Sequence, residues 1–148
     1  MNIGIQIMQS LNKKMTEVQK ILDFSFPFVE SLLINYGEFY PLASAVNTKG
    51  EVEQIVREED PDNDFPKSNT VIGELKKELR WNREQFLAVA IFYDVTIKEM
   101  QTDAIAVYVE DKKEKQAFTF FYAYKMIDNK PEFTESWKQS REVEIFID

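Results

Sequence analysis

Apolar positions fall into helical spacing in the first half of the chain and into strand-like runs in the second. Leu11, Met15, Val18, Ile21 and Leu22 form one stripe of a helix over about residues 9–22. Ser25 and Pro27 then suit a new helix start, and Phe28, Val29, Leu32, Leu33 and Tyr36 recur at helical spacing, which predicts a second helix from Phe26 to Tyr36 ended by Gly37. A single helix kinked at Pro27 is the alternative. Tyr40 to Val46 and Glu51 to Val56 flank a polar turn from Asn47 to Gly50, so they predict a hairpin. The partial alternation of its second arm suits a sheet edge, and Pro41, which has no N–H to donate, agrees with an edge position.

The acidic, proline-punctuated stretch from Arg57 to Lys67 predicts a solvated loop, and the amphipathic pattern of Val71, Ile72, Leu75, Leu79 and Trp81 predicts a helix over Ser68 to Trp81, capped by Ser68 or Asn69. Phe86 to Tyr93 is apolar at both parities, which requires cover on both faces and a central place in a sheet. Ala104 to Glu110 and Ala117 to Ile127 form the next pair across the polar turn Asp111 to Lys115, and Asp128 to Pro131 ends the second of them. Val143, Ile145 and Ile147 alternate, so Glu142 to Ile147 predicts a terminal strand. The expectation is an α+β domain spanning residues 1–148, with two or three helices packed on one face of a five- or six-stranded, mainly antiparallel sheet.

Composition narrows the chemistry. The chain has 148 residues, 44% hydrophobic and 14% aromatic, enough for one packed core. It contains neither Cys nor His, which removes disulfides, thiolate and imidazole metal sites and every Ser-His or Cys-His nucleophile from within it. Twenty-six acids against 18 bases give a net charge of −8, which opposes binding to nucleic-acid phosphates or an anionic membrane and favours a basic protein partner. Met1 to Ile7 lacks the basic start and cleavage site of a signal peptide, and no apolar run is long enough to span a bilayer, so a cytoplasmic location is expected.

Among candidate sites, Asp60, Asp62 and Asp64 resemble the start of a calcium loop, but Phe65 stands where the turn glycine belongs and Val71 where the closing Glu belongs. Neither a metal nor a cofactor is expected. A paired-carboxylate mechanism would draw on Glu38, Asp94, Asp103 and Glu110, each of which interrupts or borders apolar sequence. The row Phe118, Phe120, Tyr122 and Tyr124 has the aromatics of a base-stacking surface without its cations, so it reads as sheet core. Tyr122 and Tyr124 together with Tyr40 and Glu38 are nevertheless candidates to line a pocket, and Trp137 is a candidate interface anchor. Either a monomer or a homodimer formed through a sheet edge or Trp137 is compatible with these features.

The segment Gly37-Glu38-Phe39-Tyr40-Pro41-Leu42, with Lys49-Gly50-Glu51, Thr102-Asp103-Ala104-Ile105, Glu110 and the aromatic strand through Tyr122, resembles an uncharacterised family of small bacterial α+β proteins. In size and acidity the chain is also similar to immunity proteins of bacterial contact-dependent toxin systems. That likeness implies a non-enzymatic inhibitor of a basic toxin. The competing expectation is a small-molecule binding domain or carboxylate-based enzyme with its pocket near Glu38 and Tyr40.

Overall fold

The computed structural model describes residues 16–55 and 67–147. The expectations for residues 9–15, for the proline-rich acidic loop and for the Asp60 to Asp64 motif lie outside them.

Helix α1, Glu17–Tyr36, is continuous through Pro27, so the division into two helices gives way to its alternative. Thr16 is the N-cap: its hydroxyl accepts the Gln19 N–H at 3.0 Å, and Glu17 adds a favourable charge in the first turn. Ser25 caps nothing. It lies in the buried stripe Ile21, Ser25, Val29, Leu33, and its hydroxyl bonds that of Ser44 in the sheet at 2.6 Å. One of the two hydroxyls donates and the other accepts, so each buried oxygen has a hydrogen-bond partner. Pro27 and Asp23 are exposed, so the Asp23 carbonyl that loses its helical N–H partner can be solvated. Gly37 ends the helix at φ 74°, its N–H bonded to the Leu33 carbonyl at 2.8 Å.

Six strands follow: β1 Leu42–Asn47, β2 Val52–Ile55, β3 Phe86–Ile97, β4 Thr102–Asp111, β5 Gln116–Ile127 and β6 Lys130–Arg141. They form one sheet in the order β2-β1-β3-β4-β5-β6, with every neighbouring pair antiparallel. Turn chemistry sets most of the registers. The Asn47 side chain accepts the Lys49 and Glu51 N–H groups, while Gly50 takes φ 83° and donates to the Asn47 carbonyl. Asp111 accepts the Glu114 N–H in the β4–β5 turn.

β2 is an edge strand, as its patterning predicts, but Pro41 signals no edge. It is buried immediately before β1, a strand flanked on both sides, and its missing N–H falls outside the ladder. The expected terminal strand over Glu142 to Ile147 is also corrected. Asp128 and Asn129, with φ 52° and 63°, reverse the chain in two residues, and the last strand is the largely exposed β6.

Helix α2, Ser68–Trp81, has the predicted limits, though Lys67 occupies its N-cap without a side-chain bond. Short 3₁₀ turns, Arg83–Gln85 and Lys98–Met100, flank β3. Among the described residues, two helices and a six-stranded antiparallel sheet make an α+β fold, but the helices do not share a face. α1 packs Ile21, Val29 and Leu33 against Val46, Ala88, Ala90, Phe92, Ile105 and Val107. α2 packs Val71, Leu75 and Leu79 against Ala43, Ala45, Val89 and Ile91, the opposite parity of the same strands. The two-sided apolar pattern of β3 requires this split. No described helix is long and apolar enough to cross a membrane.

Candidate functional site

Two recesses and two polar clusters gather the candidate residues. At the α1–β1 junction, the left-handed Gly37 swings the chain off the helix and Phe39 packs into the core beneath α1. Its neighbours stay out: Tyr36 is 74% and Tyr40 52% exposed. Together with Leu32, Glu38 and Ser68 these residues line a pocket of about 400 Å³. Glu38 and Tyr40 therefore meet, as the sequence proposes.

Close to this junction lies the first polar cluster. The Tyr124 hydroxyl donates to Asp94 Oδ1 at 2.7 Å, and Thr96 donates to Asp103 Oδ1 at 3.0 Å. Asp103 is the register partner of both Tyr124 and Thr96. Burial pushes the Asp94 carboxyl above its ordinary range; the Tyr124 bond opposes this, and the negative charges of Asp103 and Glu38 reinforce it. Burial, followed by the bond to Asp94 and the charges of Asp94 and Asp103, also raises the Tyr124 phenol. Tyr124 is thus committed within the core beside the junction and does not line its pocket.

Tyr122 belongs to a second recess, between α1 and the β5–β6 hairpin. This groove of about 620 Å³ is walled by Leu22, Phe26, Pro27, Tyr122 and Phe133, with Asp23 and Glu30 among its polar groups. Phe26 meets Tyr122 edge-on at 4.9 Å between ring centroids and Phe133 at 5.6 Å. Trp137 is elsewhere again: its ring stacks on Phe121, with centroids 5.3 Å apart and planes 16° from parallel. Its register partner Phe121 has the parity of Ala117, on the α2 side of the sheet.

Of the four acids proposed for paired-carboxylate chemistry, Glu38, Asp94 and Asp103 gather at one end of the sheet, and Glu110 does not. Glu110 is fully buried on the α2 face. Its carboxylate accepts the backbone N–H groups of Glu144, Ile145 and Phe146 at 2.9–3.1 Å as well as the Tyr108 hydroxyl. Lys76 pairs with Glu144 at 2.7 Å and lies 4.6 Å from the centre of the Tyr108 ring, so α2 joins the same cluster. Burial and the adjoining Glu110 push the Tyr108 phenol far up. With three of its four donors supplied by the backbone of residues 144–146 and the fourth by Tyr108, Glu110 makes this second polar cluster a structural clasp.

Tyr36, Phe26 and Phe133 are recess residues that the sequence reading does not single out. Tyr36 carries helical spacing, so the same periodicity that identifies α1 assigns it to the core stripe. Phe133 lies between the strand end at Asp128 to Pro131 and the expected strand from Glu142, where no element is assigned from the sequence. Among the described residues, no group of three or more acids is arranged to hold a metal ion. No family model matches the chain, and neither a search of curated proteins nor a search of solved structures returns a match.

Proposed function

We propose that this chain is a non-enzymatic protein-binding domain for a basic partner, in its most concrete form an immunity-type inhibitor of a basic toxin. The groove between α1 and β5–β6 carries the reading. Its aromatic and aliphatic walls supply apolar area to desolvate, while Asp23 and Glu30 favour a partner whose apolar contact residues are flanked by Lys or Arg. Phe24 and Phe28 also stand exposed on α1, 59% and 42%, more aromatic surface than folding uses. The chain's charge of −8 would draw a basic partner in from a distance.

Capture from a native lysate, purification of the captured protein and surface-based kinetics test this. The expected partner is basic, and the double charge reversal Asp23→Lys, Glu30→Lys slows its association by about tenfold at low salt. Tyr122→Ala should mainly hasten dissociation. An acidic partner, or kinetics indifferent to both salt and charge reversal, refutes the reading. The immunity form fails on its own if the partner is harmless when expressed alone, or if its toxicity persists alongside this chain.

A second reading, a small-molecule site or carboxylate-based enzyme near Glu38 and Tyr40, draws on the raised Asp94 carboxyl beside Glu38. It predicts a hydrolytic activity in a glycoside screen that Asp94→Asn abolishes without unfolding the chain. Equal activity of Asp94→Asn and the parent chain removes it.

A further inference from the structure

We infer that the junction pocket takes one guanidinium group, that of an arginine side chain presented by the basic partner. The inference rests on the reading that the partner is basic and names the contact at which that charge is recognised.

The pocket's size is the first reason. About 400 Å³ lies at the lower end of the range for small-ligand sites, and it suits one long side chain better than a whole helix. Its walls are the second. Leu32 and Phe39 offer apolar surface to a chain of methylenes, and Tyr36 and Tyr40, both more than half exposed, offer ring faces to a cation. The third is charge. Among the described residues, Glu38 lines the pocket with no ion pair or hydrogen bond, and no Lys or Arg lines the pocket beside it. Asp94 and Asp103 add negative potential from the adjoining sheet end, since Asp94 is influenced by the charges of both Asp103 and Glu38.

An anion is repelled here, and a neutral group leaves the Glu38 carboxylate without a counterion. Between the two biological cations, the planar guanidinium fits better than ammonium. It can stack on a tyrosine ring while two of its N–H groups bond one carboxylate, and it sheds water more readily than the compact ammonium.

The test uses the full chain and a short probe, acetyl-Gly-Arg-Gly-amide, followed by backbone amide shifts. The expected result is a saturable shift confined to residues around 36–40. The citrulline analogue, with the same shape and no charge, should bind about tenfold more weakly, as should the arginine probe with Glu38→Gln. Tyr36→Ala should weaken it as well, and because both positions are exposed, neither change threatens folding. Equal binding of arginine and citrulline, indifference to Glu38→Gln, or shifts elsewhere on the surface would overturn the assignment. Tighter binding of free agmatine than of the peptide would also overturn it, since the occupant would then be a small amine and not a protein side chain. The probe needs no captured partner, and the charge reversals at Asp23 and Glu30 lie outside this pocket, so the two readings fail by separate measurements.

Discussion

A fully buried carboxylate is tolerated only while its acceptor oxygens are met, and Glu110 meets four donors. Glu110→Ala strands three backbone N–H groups and frees residues 144–146, at an expected cost of roughly 3–5 kcal/mol in urea unfolding. Glu110→Gln keeps an acceptor oxygen and should cost less; equal loss in the two variants would contradict this account of the clasp. The sequence marks Glu110 as an acid ending an apolar strand, yet gives no sign of its purpose, because its backbone donors arrive from 34–36 residues downstream. Asp94 makes the complementary case. Its carboxyl is raised in the folded chain, chiefly by burial, so the folded state holds a proton that the unfolded chain gives up near pH 4. The stability contributed at this site is therefore full below about pH 4 and declines as pH climbs through the raised value. Asp94→Asn should raise the melting temperature at pH 7 relative to the parent chain, with the difference shrinking toward pH 4; a difference that does not vary with pH excludes this origin.

At the scale of elements, legibility follows how local the determinants are. The limits of α2, the stop at Gly37 and the Asn47 to Gly50 turn depend on residues within a few positions of one another, and all are readable. The continuity of α1 through Pro27 is not readable, because packing of Ile21, Val29 and Leu33 on the sheet decides it against the local preference for a break. Pro27→Ala should accordingly stabilise the fold by about 1–3 kcal/mol, since it restores an N–H for the Asp23 carbonyl, less the unfolded-state stiffening that proline provides. A lower midpoint in denaturant would mean that the proline fits α1 without the expected penalty. β6 escapes the reading for another reason: it is mostly exposed on both faces, so its sequence lacks the alternation that burial imposes. The tail after it alternates through Val143, Ile145 and Ile147 but is held by Glu110 in place of a neighbouring strand.

For the whole molecule, one sheet with a helix on each side gives an uneven distribution of stability. β3 and β4 lie inside the sheet and are almost wholly buried along their middles, whereas β2 and β6 form its borders. Hydrogen exchange should therefore be slowest at amides of Ala88 to Phe92 and Ala104 to Val109, at rates set by global unfolding, and faster at the outward N–H groups of β2 and β6. Uniform protection across all six strands would contradict this gradient. The fold class and the centrality of β3 are legible because they follow from apolar parity; the division of helices between faces follows from the same parity once each helix must be seated. The candidate recesses are less legible, since Tyr36 and Phe133 become surface residues only through the path of the chain around them. β6 also leaves twelve residues of strand along a border with no described neighbour beyond it. Such a border is a template on which another unfolding chain can stack, the opening step of amyloid growth. Pro131 denies that template a donor, and Lys130, Glu132, Glu135, Lys138 and Arg141 place charge of both signs along it, so β6 remains a poor seed for fibrils.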